Sequence, residues 1–309
     1  MTTFLRKRAI GLAGLAILGL AACGDDGSGP SNPSLTQAEA QFAAEVVSND
    51  ADGGLDGLTS SSADGIAFAV AGAPASGGAS FAAAGMAPPF GAQCTPAPQV
   101  SPTPVANTDG DFVPDSIRVT FDPPCILSLP LRTITRTGII DVIDPTPASE
   151  GFGRKLRFID FATEVERLVS GATVSATWNG IRTVTGDADQ LQYTADNFVT
   201  EFTHAGGSVT THTRTWSATF TADVAGSIER HQALPSGLLN ITGTSSWTRG
   251  DASWSASITT NPQLHYNASC TEAPRFDDGT LTLVVTRGGN TSTVTIEYTA
   301  CGVYTVTRS

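Results

Sequence analysis

From Asp115 to the C-terminus the chain repeats one pattern: short runs in which apolar and polar residues alternate. Ile117, Val119 and Phe121 alternate with Arg118 and Thr120, and Ala172, Val174, Ala176 and Trp178 with Thr173, Ser175 and Thr177. The same holds for Trp216, Ala218, Phe220 and Ala222, for Trp254, Ala256 and Ile258, and for Val294, Ile296 and Tyr298. Successive side chains of a strand point to opposite faces, so each run presents one apolar and one polar face. Thr, Val and aromatic residues are also the types that suit a pleated, half-buried surface.

Turn signals separate these runs: Asn179-Gly180, Gly186-Asp187, Gly206-Gly207, Pro235-Ser236-Gly237, Arg249-Gly250-Asp251, Asn261-Pro262, Asp278-Gly279 and Gly288-Gly289-Asn290. Several have the length and composition of hairpin turns. Nothing between the runs is helical enough for a parallel crossover, which predicts an antiparallel meander of about a dozen strands. Its apolar face must be covered. A sheet of this width twists and then curls or splits. The fold class is therefore mainly β, with two arrangements open: an open barrel curled around an N-terminal helix, or a β-sandwich. The Thr/Ser-rich outer face lacks the apolar band of a membrane barrel.

Before the sheet, residues 35–48 read as that helix. Leu35, Ala38, Phe42 and Val46 fall near one face, and both Thr36/Glu39 and Ser34/Gln37 have capping-box spacing. Core packing is the simple reading of the stripe, and a lid over a cavity is the functional one. Residues 49–104 are rich in Ala, Gly, Ser and Pro and read mostly as loop packed on the body, with strand character only at 65–71. Residues 35–104 thus form a helix plus an Ala/Gly/Pro-rich segment, and residues 105–309 the antiparallel β domain.

The first residues carry a different message. Arg6-Lys7-Arg8 precede fourteen uncharged residues, Ala9 to Ala22. As a helix these span about 21 Å, short of a bilayer core of about 30 Å, and fit the charged and apolar regions of an export signal. The run ends in Leu20-Ala21-Ala22-Cys23. This resembles the lipobox of bacterial lipoproteins. The resemblance implies cleavage after residue 22, a diacylglycerol on the Cys23 thiol and an acylated, typically palmitoylated, amine. Residues 1–22 are then the signal peptide, and residues 23–34 a lipidated Cys with a Gly/Ser/Pro tether. Gly24 rather than Asp follows the cysteine. For such lipoproteins this implies the outer membrane of the cell envelope, with the body facing the periplasm or the surface.

Removing residues 1–22 leaves 14 cations against 29 acids, a net charge of −15 over 287 residues. Such a chain repels nucleic acid and anionic lipid, so neither is expected as a partner of the body. With Cys23 lipidated, four cysteines remain, an even count that argues for disulfides in an exported chain. Pairing neighbours in sequence gives Cys94–Cys125 and Cys270–Cys301. Each closes a loop of about 30 residues, worth roughly 3–4 kcal/mol. No CxxC pair points to a metal site instead.

Asn107-Thr108-Asp109-Gly110-Asp111-Phe112-Val113-Pro114-Asp115 is the strongest local motif. It resembles the Asp-rich calcium loops of thrombospondin type 3 and EF-hand proteins. That resemblance implies side-chain ligands from Asn107, Asp109 and Asp111, the Val113 carbonyl and Asp115. Phe112 stands where the turn glycine belongs, and Arg118 where a bidentate acid belongs. A polar turn leading into the strand is the other reading. Asp50, Asp52 and Asp56 form a second, less specific Asp/Gly loop. No other cofactor is suggested.

Catalytic signatures such as a nucleophile elbow, HExxH or a P-loop are absent from the sequence, so no enzyme activity is expected. His204, His212, His231 and His265 are isolated in sequence, although His204 and His212 flank a turn and could meet across a hairpin. Trp178, Trp216, Trp247 and Trp254 lie in strands, as core or as a sugar-binding platform. The expected role is a non-enzymatic envelope lipoprotein that binds a protein or glycan partner. The alternative is a carrier or chaperone for an apolar ligand. A long antiparallel sheet with one helix is similar in outline to the open barrel of periplasmic lipoprotein carriers.

Overall fold

The computed structural model describes residues 35–56, 95–102, 106–110, 113–149, 151–229, 232–250 and 252–309. Among the described residues one helix, α1 (Gln37–Asp56), precedes thirteen strands. These are β1 (Gln99–Ser101), β2 (Ser116–Leu129), β3 (Arg132–Ile143), β4 (Arg154–Arg167), β5 (Thr173–Gly186), β6 (Gln190–Thr203) and β7 (Val209–Ala222). There follow β8 (Gly237–Arg249), β9 (Ala252–Thr260), β10 (Leu264–Tyr266), β11 (Phe276–Arg287), β12 (Asn290–Ala300) and β13 (Val303–Arg308). All pairings are antiparallel, in one sheet that runs in chain order from β1 to β8 and on to β13. The first part of β8 pairs with β10 and the second with β9, and both then pair with β11.

This is the predicted meander as a single hydrogen-bonded sheet, not a sandwich. Among the described residues its path ends at β13 without a pairing back to β1. α1 lies on the concave side. Its Asp50 reaches Arg214 in β7, its Ser48 reaches Tyr298 in β12, and its Gln37 reaches the Val306 carbonyl in β13. One continuous core joins the helix to strands from β2 to β12, with Phe121, Phe158, Phe161, Trp178 and Phe198 in aromatic contact.

The curl has a visible cause. Irregular register recurs across five successive strand pairs, at Phe121/Cys125, Thr137/Ile139, Phe158/Phe161, Asn179/Ile181 and Ala195/Phe198. An extra residue in one strand bends it and increases its twist, and aligned bulges turn a corner in the sheet. Gly180, at φ +113°, permits one of them: a Cβ there would lie 2.6 Å from the Asn197 carbonyl oxygen. Opposite, Asp160 (φ 45°) and Asn197 (φ 43°) occupy the left-handed region that short polar side chains tolerate.

Asn179-Gly180 and Asp278-Gly279, predicted as turns, therefore lie inside β5 and β11. A bulge and a hairpin turn ask for the same residue types, because both need positive φ. The other turn signals fall between strands, with Gly288-Gly289 joining β11 to β12.

α1 also corrects the sequence reading. Its start is the expected capping box: the Thr36 amide donates to Glu39 Oε2 at 2.8 Å, and the Glu39 amide donates to Thr36 Oγ1 at 3.2 Å. It continues past residue 48 to Asp56, where a loop was expected. Ion pairs from the sheet to Asp50 and Asp52 hold those last turns, overriding a weak local propensity. The buried face is Ala40, Ala43, Ala44, Val47, Ala51 and Leu55, together with Leu35 and Val46. Ala38 is exposed and Phe42 is 38% exposed, contrary to the predicted stripe. Small alanines let the helix backbone lie close against a wall already filled by aromatic side chains. Finally, β1 pairs with β2, so the sheet begins ahead of residue 105.

Candidate functional site

The concave face holds a charged cluster in an otherwise apolar interior. Arg182 on β5 and Arg214 on β7 stand on the inward phase of their strands, beside Trp178 and Val184 in one case and Trp216 and Ala218 in the other. An inward charge in an alternating strand is the one sign of this site legible in the sequence. Arg214 Nη1 donates to Asp50 Oδ1 at 3.1 Å and Nη2 to Thr200 Oγ1 at 2.6 Å. Both guanidinium groups lie over the Phe198 ring, at 3.8 Å for Arg182 and 5.3 Å for Arg214. His212 is 1% exposed. Its Nε2 stands 3.5 Å from Asp50, and its ring stacks on Trp247, which stacks in turn on Trp254.

Burial dominates the electrostatics. It raises the Asp50 carboxyl to about 6, against the pull of Arg214 and Arg182. It holds His212 well below the ordinary imidazole range, and the two arginines push the same way. It also brings Arg182 down to about 10. Asp50 is thus the counter-charge on the helix, while His212 is neutral.

A second tie lies further along α1. The Arg275 amide and Nε donate to Asp52 Oδ1 at 3.0 and 2.9 Å. The second Asp/Gly loop read at Asp50, Asp52 and Asp56 is therefore helix, with Asp50 and Asp52 paired to arginines. Between these ties is a small cavity lined by Asp50, Ala51, Leu55, Tyr193, Trp216, Ala218, Phe220, Leu239 and Ile241. Its free volume is about 10 Å³, the room of one water.

His265 forms a different site, at a loop-rich end of the sheet. Its Nδ1 lies 2.6 Å from Asp277 and its Nε2 3.0 Å from Asp223. Asn267 Nδ2 donates to the other Asp277 oxygen at 2.7 Å. Partial burial pulls the imidazole down, but the hydrogen bonds and charges of the two aspartates outweigh it, and the net shift is upward. Sequence spacing could not show this, because Asp223 is 42 residues away.

The remaining predicted residues fall as follows. The Cys270–Cys301 disulfide is present, with Cα atoms 5.5 Å apart. Cys125 is buried and disulfide-bonded; its expected partner Cys94 lies outside the described residues, as do Cys23, Asp111 and His231. In the Asp-rich loop, Asn107 Oδ1 accepts from the Gly110 amide at 2.9 Å. Both Asp115 oxygens accept from Thr108, at 2.7 and 2.6 Å. Asn107 and Asp115 thus brace a turn. No cluster of three or more His, Cys, Asp or Glu able to hold a metal occurs among the described residues.

His204 and His212 do not meet across their hairpin: His204 Nε2 is 3.0 Å from Thr210 Oγ1, and His212 points into the core opposite Thr200. Trp178, Trp216 and Trp247 are core, and Trp254 is partly exposed. Among the described residues no helix is long and apolar enough to cross a membrane. No protein-family model, curated protein or solved structure matches this chain.

Proposed function

We propose that this chain is an exported bacterial envelope protein, held at the outer membrane by lipid on Cys23, that acts by binding rather than by catalysis. The concave face of its sheet is a carrier-type site for an apolar ligand, and α1 is the displaceable plug of that site. The observation that carries this reading is how α1 fills the interior. The wall beneath it is Tyr193, Trp216, Phe220, Leu239 and Ile241, while the helix covers it with Ala40, Ala43, Ala44 and Ala51 beside Val46, Val47 and Leu55 and is tied by a few polar contacts. The four alanines each bury little apolar area. A ligand gaining about 0.8 kcal/mol per buried methylene can replace them.

The histidine geometry fits binding better than catalysis. Both His265 ring nitrogens face carboxylates, and His212 is held neutral behind Trp247. A glycan partner is a second reading, with Trp254 at the partly exposed end of its stack as the contact.

Two measurements test the proposal. Solvent extraction and mass spectrometry of the protein purified from membranes should yield an apolar molecule in near-stoichiometric amount. Adding a long-chain acyl probe should speed hydrogen exchange at residues 40–52. No extracted molecule and unchanged exchange would sink the carrier reading. Separately, Cys23→Ser should abolish labelling by palmitate and release the chain from membranes; a variant still membrane-bound through covalent lipid would sink the anchor.

A further inference from the structure

In an antiparallel meander alternate turns gather at opposite ends. The turns after β2, β4, β6, β8 and β11 form one rim; those after β3, β5, β7, β10 and β12 form the other. The first rim exposes large apolar side chains at adjacent hairpin tips. Leu131 is 68% exposed, Leu168 52% and Val169 86%. The two tips touch, the Leu168 amide donating to the Leu131 carbonyl at 3.1 Å.

Behind the tips stand Arg132 and Arg167, directly opposite one another on β3 and β4. Like charges at such a pairing repel. Among the described residues neither forms an ion pair, nor does Arg249 on the same rim. The field of Arg249 is felt nearby, where burial and this arginine lower the His204 imidazole.

The second rim is acidic, with Asp187, Asp189, Asp223, Glu229, Glu272 and Asp278 exposed. It also exposes Val224, Leu238 and Val303, but Val224 adjoins Asp223, and among the described residues no two arginines face each other there as Arg132 and Arg167 do. An acidic chain has thus kept unpaired arginines and bare leucines together at one end.

That end is also where the chain enters the fold. Arg308, the last residue of β13, donates to the Leu35 carbonyl, and Arg287, at the tip of β11, pairs with Glu39. α1 therefore begins at the first rim.

We propose that the first rim is a membrane-docking surface. Leu131, Leu168 and Val169 enter the interface of a bilayer, and Arg132, Arg167 and Arg249 meet anionic phospholipid headgroups. Apolar insertion and cationic attraction are the two contributions that hold a peripheral surface on a membrane. This rests on rim composition, which is separate from both the carrier reading and the lipid anchor. It revises the expectation from net charge: the first rim carries Arg132, Arg167 and Arg249 beside the exposed Glu164, Glu166 and Glu201, whereas six exposed acids stand at the far rim.

The test uses the full chain carrying Cys23→Ser, so that no acyl anchor masks weak binding. Flotation with vesicles containing phosphatidylglycerol should show salt-sensitive binding. Arg132→Glu with Arg167→Glu should weaken it by about tenfold or more, with an unchanged urea midpoint. Leu168→Ser with Val169→Ser should weaken it without changing its salt dependence. An environment-sensitive dye on Leu168→Cys should shift to the blue on these vesicles, and one on Val224→Cys should not. Equal dye responses at both rims, or binding indifferent to the arginine reversal, would overturn the proposal. So would a Leu168 signal that rises with protein concentration in the absence of vesicles, which would make the rim an interface between copies.

Discussion

His212 and His265 both stand beside aspartates, yet their environments drive them in opposite directions. His212 is sealed inside the curl, where desolvation and two arginines keep it neutral. Its neighbour Asp50 is raised by the same burial. His265 is about a third exposed and lies between Asp223 and Asp277, which stabilise its protonated form. The pair of residue types is the same. Burial and the sign of the third partner decide which proton stays. The inner site is held by the closure of α1 over it, and the outer one by loops that a disulfide ties together.

The largest expected effect is at the inner site. Asp50→Ala removes the helix carboxylate that faces Arg214 in a buried setting and should destabilise by about 4–5 kcal/mol, read as a lower urea midpoint. Adding Arg214→Met should restore part of that loss. A near-neutral Asp50→Ala would mean that α1 is not held by this pair, and the contrast between the two sites would collapse.

Next comes the outer region. Breaking Cys270–Cys301, which closes a separation of 31 residues, should cost roughly 3–4 kcal/mol and lower Tm by on the order of 10 °C. The His265–Asp277 contact should loosen with it, visible as a His265 titration moving toward that of a free imidazole.

Thr36→Ala should cost about 1 kcal/mol through the lost helix cap, with faster amide exchange confined to the first turn of α1. Exchange that spreads to residue 50 would show that the plug opens as one unit.

The smallest effect is the sharpest in pH. A raised His265 stabilises the fold fully below the ordinary imidazole range, and this is lost as pH rises through the folded value. His265→Gln should therefore reduce stability at pH 5 more than at pH 9. The inner groups act differently. A neutral His212 loses stability as pH falls through 6.5, where the unfolded chain takes up the proton. Asp50 makes stability fall as pH rises from its ordinary 3.8 to about 6. These opposed slopes should leave the His265→Gln difference as the clearest pH signal. Equal losses at both pH values would remove the charged imidazole from the account.

Much of the fold was legible in the sequence because strand alternation is local. Val119, Phe121, Trp216, Phe220, Ile296 and Tyr298 all point inward on the phase they announce. The capping box at Thr36 and Glu39 was legible for the same reason. Gly180 and Gly279 were not, since positive φ serves a bulge as well as a turn. The length and face of α1 were also hidden, because Arg214 and Arg275 hold its last turns from more than 160 residues away.

The sequence by itself determined an antiparallel meander with one wet face and one N-terminal helix, and it carries five cysteines and a Leu-Ala-Ala-Cys run that resembles a lipobox. These depend on period, spacing and local chemistry. Only the tertiary structure decided that the sheet curls around α1, that Asp50 meets Arg214 and His212, and that unpaired arginines and bare leucines share the rim where α1 begins. Each of these requires residues far apart in the chain to meet, and no local pattern encodes which strands a curl will bring together.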